Sequence, residues 1–362
     1  MIERKRIALI APRLPPHDCG VGDYAWELSR HWPTSGAFHF FVTDGVAASS
    51  EVLQTEEITS FGTSGDRLVE QLETNTTQDV LLQYAGRAYQ RFGAPRWLLT
   101  GLRKWRERDQ ARRLHVMFHE LPASPSLLSK HGVAERFSTS VARGLAQRAD
   151  TLITNSEQHA ELLRRFAPAH GVEWLPVASN IPPPANESAP RTHRAGEFVI
   201  FGLPFNRLQT LRLYQSEIRR WLESEIITTL HLIGSRDEKF TAEIDALLSD
   251  FGAGDRVVAH GALSAPDVSK LLTESAYCLS AATPTTWSKS GTFMAYAAHG
   301  GAVVTKADQT SPPLSATIAA SQLHDISAAD VQNKRAMLRQ WYQQNADWNV
   351  IAPRIAELIS RR

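Results

Sequence analysis

Two stretches decide the fold: Arg6-Ile-Ala-Leu-Ile-Ala-Pro12 and, two residues further on, Pro15-Pro-His-Asp-Cys-Gly-Val-Gly-Asp-Tyr24. The first is a short apolar run with charges before it and prolines after it. A strand buried on both faces reads this way. The second is a Gly/Pro loop, and Gly20–Trp32 then follows with helical spacing, Tyr24, Leu28 and Trp32 falling on one face. The chain thus opens strand, loop, helix. Apolar runs at Phe38–Thr43, Asp79–Gln83, Leu114–Phe118 and Thr151–Thr154 predict more strands, and Pro95–Arg113, Ala134–Arg148 and Glu157–Phe166 predict helices. Strands alternating with helices imply a parallel, doubly wound sheet.

The alternation stops at Asn180–Arg194, where a triple proline followed by polar residues makes a linker. It then restarts. Strands are expected at Phe198–Phe201, Thr229–Ile233, Val257–Ala259, Tyr277–Ala281 and Ala302–Thr305. Helices are expected at Leu208–Ser224, Asp237–Phe251, Ala265–Glu274 and Thr292–His299, and at Ala336–Ile359 with a break near Asn345–Trp348. The expected organisation is a first domain over 1–182, a linker over 183–196, a second domain over 197–335 and a closing helical segment over 336–362.

Length agrees, since 362 residues at roughly 100–200 per domain give two domains. A formal net charge of +1 argues against a dedicated nucleic-acid binder. Cys19 and Cys278 give neither a disulfide framework nor a zinc pattern, so a reducing, cytoplasmic setting is the simplest expectation. The run Ile7–Ala11 is too short for a signal core, and no run approaches the roughly 18 residues of a membrane span.

The loop between the first strand and helix lies where open parallel sheets bind ligands. Gly20 and Gly22 permit close approach to the backbone, and a helix start suits phosphate. The alternative is a tight turn with no ligand. The third glycine of the dinucleotide fingerprint is missing, which weakens a dehydrogenase reading.

Pro-Pro-x-x-Cys-Gly-Val-Gly-Asp-Tyr-Ala resembles the opening of bacterial glycosyltransferase family 4 proteins. Further matches follow in the family's order over almost the whole chain: Leu82-Gln83-Tyr84, Val116-Met-Phe-His119-Glu120-Leu121, Ile153-Thr-Asn-Ser156-Glu157, Val177-Ala-Ser-Asn180-Ile181-Pro182, Val199-Ile-Phe-Gly202, Leu232-Ile-Gly234, Val258-Ala-His-Gly261 and Ala346-Asp-Trp348-Asn-Val-Ile-Ala352. The resemblance implies an α/β fold of the GT-B type, two Rossmann-like doubly wound parallel-sheet domains facing across a cleft, with the closing helix crossing back to the first. It also implies a retaining, hexosyltransferase-like enzyme that moves a sugar from a UDP- or GDP-sugar to a hydroxyl acceptor in glycan, glycolipid or polysaccharide assembly.

By the same resemblance His119 lies beside the donor sugar, with Glu120 orienting it or touching substrate; a backbone-capping histidine and a solvent-facing acid are the alternatives. Asp23, Gln83 and Tyr84 are acceptor-side candidates. Gly20, Gly22 and Arg207, then Lys289, Ser290, Gly291 and Thr292, are candidates for the donor's diphosphate. Charge, glycine and a helix start coincide in the last group, although a plain helix cap also fits. Two glutamates that many family members carry eight positions apart are replaced here by Trp287 and Ala295. No Asp-x-Asp motif is well placed for a diphosphate. No metal and no cofactor are therefore expected, and protein cations take over the metal's electrostatic role. A GT-B-shaped binding or partner subunit without turnover is the rival reading.

Residues 87–113 hold nine Arg and Lys against Glu107 and Asp109, with Trp97, Leu98, Leu102 and Trp105 interleaved. Two readings stand: peripheral contact with an anionic membrane at its inner face, or a surface helix whose apolar stripe packs on its own domain.

Overall fold

A computed structural model describes residues 6–17, 19–34, 37–43, 57–122, 130–184 and 193–361, with the side chains of 130–133 excepted. The chain divides into two compact units, Met1–Pro176 with Trp348–Arg362, and Val177–Asp347. Val177 N–H donates to Ser288 O at 2.8 Å and Ser179 N–H to Tyr342 Oη at 3.2 Å. The chain is thus bonded into the second unit ahead of the expected linker 183–196, of which 185–192 lie outside the described residues.

The first unit holds strands β1 (Ile7–Ala11), β2 (Phe38–Val42), β3 (Ile58–Ser60), β4 (Asp79–Ala85), β5 (Arg113–Glu120), β6 (Thr151–Thr154) and β7 (Val172–Trp174). All pair in parallel, in the order β3-β2-β1-β4-β5-β6-β7. Helices α1 (Gly20–Arg30), α2 (Gly65–Thr74), α3 (Gly86–Tyr89), α4 (Arg96–Glu107), α5 (Lys130–Ala146) and α6 (Glu157–Phe166) connect them. The chain runs outward one way from β1 and the other way from β4, so the sheet's switch point lies between these two strands.

Strand alternation sorts the side chains. Leu82 and Tyr84 of β4, and Val116 and Phe118 of β5, enter one core with Leu68 and Leu72 of α2 and with Leu98, Leu102 and Trp105 of α4. The apolar stripe of 87–113 is therefore the core-facing side of α4. A Cβ on Gly65 would collide with Trp97 O and one on Gly101 would stand 2.7 Å from Gly65 O, so the two glycines let α2 and α4 meet. Later cations of this stretch are paired. Lys104 meets Asp66 at 2.7 Å, Arg106 forks onto Asp150, and Arg108 and Arg112 share Glu73. Any membrane contact through 87–113 falls to cations other than these, not to the stripe.

The second unit holds β8 (Arg194–Phe201), β9 (Thr229–Ile233), β10 (Val257–Gly261), β11 (Ser275–Leu279), β12 (Val303–Thr305) and β13 (Ile318–Ala319). They form a parallel sheet in the order β10-β9-β8-β11-β12-β13, with its switch point between β8 and β11. Its helices are α7 (Pro204–Leu213), α8 (Gln215–Glu223), α9 (Glu238–Asp250), α10 (Ala265–Glu274), α11 (Gly291–Ala298) and α12 (Ala328–Asn345). The expected closing segment 336–362 is shared: α12 stays in the second unit, while α13 (Trp348–Ser360) belongs to the first. Among the described residues no helix is long and apolar enough to cross a membrane.

Candidate active site

Both switch points are lined by residues singled out in the sequence. In the first unit, Gly20 and Gly22 follow β1, Gln83 and Tyr84 end β4, and His119 and Glu120 end β5. Strand pleat separates them. Gln83, fully buried, and His119 share one face, where His119 Nε2–H donates to Gln83 Oε1 at 2.7 Å. Tyr84 points to the opposite face, inside the core against Phe118. Tyr84 is therefore walled off from Gln83 and His119. Glu120 is exposed, and Asp23 is half-buried in the first turn of α1.

The surroundings of His119 set its chemistry. The edge of Tyr24, on α1, meets its ring at 4.8 Å between centroids, and Trp348 of α13 lies 4.8 Å from the Tyr24 ring in turn. His31 stacks on the far side of this row, over Trp348 at 5.8 Å. Burial, with the His159 ring adding to it, pushes the pKa of His119 down to about 3. The ring is thus neutral at physiological pH, a hydrogen-bonding group and not a cation. Gln83 Nε2 and Tyr24 Oη are buried with no partner among the described residues. Sequence reasoning placed Tyr24 on an apolar helix face and in the opening motif, but not beside His119. Its link to His119 comes from packing between distant segments, which no local pattern signals.

The two glycines of the first loop differ. A Cβ on Gly22 would collide with Arg13 O, so the absent side chain there makes room for the chain's own loop. A Cβ on Gly20 would meet nothing within 4 Å. Gly20 is exposed at the start of α1, and Cys19 before it makes no side-chain capping bond. Only Gly20 leaves backbone open to an incoming group.

At the second switch point Gly202 follows β8 and Gly234 follows β9, with φ of +131° and +139° that favour glycine. Arg207, on α7, is buried. Its Nη1–H donates to Gly202 O at 2.9 Å and its Nη2–H to Ser235 O at 2.6 Å. Burial and the charge of Arg236 lower its pKa, and among the described residues no carboxylate pairs with it. The expected phosphate grip is thus largely engaged in tying two strand ends together. Gly234 is what admits it, because a Cβ there would strike the guanidinium.

The start of α11 lies against the same point: Thr292 Oγ1 would be 2.6 Å from a Cβ on Gly202. Ser290 is the N-cap, its Oγ accepting from Phe293 N–H at 3.2 Å, so the plain capping role holds for this residue. Gly291 and Thr292 carry the remaining first-turn amides, and Gly291 is exposed. Lys289 is also exposed and has no ion-pair partner among the described residues. Trp287 and Ala295 are buried, Trp287 against Phe293 and Trp341. Among the described residues no group of three or more His, Cys, Asp or Glu is placed to hold a metal ion.

Two wholly parallel, doubly wound units with these switch points make this a GT-B fold. Solved structures of the same arrangement match nearly the whole chain. Sucrose-phosphate synthase from Thermosynechococcus elongatus aligns over 98% of each chain with a TM-score of 0.70 and 16% identity. HepE from Anabaena, in complex with UDP and glucose, aligns over 99% of this chain and 100% of its own with a TM-score of 0.70 and 13% identity. WaaG, a glycosyltransferase involved in lipopolysaccharide biosynthesis, covers 98% of this chain and 100% of its own at 0.61 and 12%. At such identities the likeness is one of fold. No protein-family model matches the chain, and no curated protein matches it in sequence.

Proposed function

We propose that the protein transfers a sugar from a nucleoside diphosphate sugar to a hydroxyl acceptor. The observation that carries this is the meeting, at one switch point, of the α11 N-terminus, exposed Lys289, Gly202 and the Arg207 charge. Free amides, a dipole end and two cations suit a diphosphate and offset the charge that grows on it as it leaves. HepE and WaaG have the same fold, and HepE structures hold UDP or UDP-glucose, which makes UDP the first nucleotide to try.

The family 4 resemblance supports retention of anomeric configuration. We propose a front-face displacement: the acceptor oxygen bonds to C1 as the C1–O bond to the diphosphate breaks, and the acceptor proton passes to the departing phosphate oxygen. Lys289, Arg207 and the amides of Gly291 and Thr292 serve the diphosphate without a metal. His119, Gln83 and Gly20 serve the sugar and acceptor. A glycan or lipid-linked hydroxyl is the acceptor class expected.

A thermal-shift series with UDP, GDP and ADP tests the reading. Stabilisation by UDP of about 2.7 kcal/mol is expected at a hundredfold excess over Kd, with the shift reduced in Lys289→Ala. No shift with any of the three nucleotides would sink it. A second reading, nucleotide binding without turnover, draws on Trp287 and Ala295, which bury apolar side chains where paired acids were expected. UDP release from UDP-glucose, with acceptor present, separates the two.

A further inference from the structure

The cations of the first unit fall into two groups. Those late in α4 and just after it are paired, as described above. Arg87, Arg91, Arg96 and Arg136 are exposed, and among the described residues none pairs with a carboxylate. Glu135, half-buried beside them, pairs with none of them. Phe92 and Phe137 stand in the same place, 65% and 45% exposed.

These side chains form one surface. Ser138 Oγ–H donates to Gly93 O at 2.7 Å, joining the loop after α3 to α5. The Arg96 guanidinium lies 4.5 Å over the Phe137 ring, and that of Arg91 lies 5.6 Å over Phe92. A Cβ on Gly93 would stand 3.3 Å from Arg87 Cγ. The loop is held from below, since Tyr89 Oη–H donates to Gln83 O at 2.9 Å. Phe92 is thus displayed by a fixed turn.

Two large rings left in water and a group of guanidiniums without carboxylate partners among the described residues both raise the free energy of this face. An anionic bilayer relieves both, because rings enter the headgroup boundary while guanidiniums meet lipid phosphates. Single-stranded nucleic acid fits less well. A guanidinium already occupies one face of each ring, which leaves less room for base stacking, and the chain's net charge is only +1. We propose that this face docks on an anionic lipid bilayer. Its loop follows β4 and α5 follows β5, so the docked face borders the carboxyl end of the sheet that carries Gln83 and His119. The inference does not rest on glycosyl transfer.

Co-sedimentation with phosphatidylcholine vesicles, with and without phosphatidylglycerol, tests it. The wild-type protein should pellet with the anionic vesicles only. Arg91→Gln/Arg96→Gln should weaken partition roughly 30-fold. Phe92→Ser/Phe137→Ser should weaken it at least about tenfold, and both double variants should keep the wild-type melting temperature. Wild-type protein left in the supernatant with both vesicles would overturn the proposal. So would undiminished pelleting of either double variant; if only the phenylalanine pair proved silent, the contact would be simple polyanion attraction.

Discussion

The His119 ring resists protonation, because burial pushes its pKa from 6.5 down to about 3. Between these two values the unfolded chain binds a proton that the folded chain refuses. Stability is therefore complete above the unfolded value and is lost as pH falls through the window, by about 1.4 kcal/mol per pH unit for one site. In urea unfolding at about pH 7 and about pH 5, the wild type should lose about 2 kcal/mol more than His119→Gln. Equal losses would mean that the ring titrates normally. The glycines make a second residue-scale contrast. Gly22→Ala should cost about 2 kcal/mol or more, because the new Cβ collides with Arg13 O. Gly20→Ala should stay within about 0.5 kcal/mol; similar unfolding midpoints for the two would refute the distinction. In sequence the two glycines look alike, and only the course of Arg13–Leu14 beneath α1 tells them apart. Arg207 teaches the same lesson: its charge is legible, but its attachment to two strand-end carbonyls is not.

Elements with strong local signals were legible to within a residue or two. Glu157–Phe166 and Ala265–Glu274 match α6 and α10 because Ser156 and Ser264 cap them, the latter with Pro266 in the first turn. The edge strands β3, β7 and β13 escaped, since two or three residues are too few to show a period. Helix α2 escaped as well, its stripe of Leu68, Val69 and Leu72 being thin within a polar run. The expected helix Leu208–Ser224 is broken at Tyr214, whose hydroxyl donates to Ser280 O and Val304 O at strand ends far away in sequence. Trp348→Ala should cost about 3 kcal/mol and, by freeing Tyr24, let the His119 ring titrate nearer 6.5. Ring resonances followed by NMR against pH check this, and an unmoved titration would mean that Tyr24 holds the ring without help.

At the scale of the whole molecule, the alternation of strand and helix was enough to predict two parallel sheets. The placement of the candidate residues at strand ends was legible for a related reason: glycines and charges directly after apolar runs fall at carboxyl ends of strands, and the strand order puts these ends at switch points. Tyr24 and Trp348, brought together from opposite ends of the chain, had no such local mark. Hydrogen exchange in the presence of UDP should slow first at 202–207 and 289–299, with 58–74 at the far edge of the first unit unchanged. Uniform slowing, or none at the two named segments, would contradict the assigned site. The first unit is discontinuous, and α13 buries Trp348, Ile351, Ile355 and Leu358. On the ribosome, then, the part made first is the part completed last. The nascent first unit waits with the Tyr24 side of α1 uncovered while the second is synthesised whole, and its final packing step comes only once residues 348–359 have left the exit tunnel.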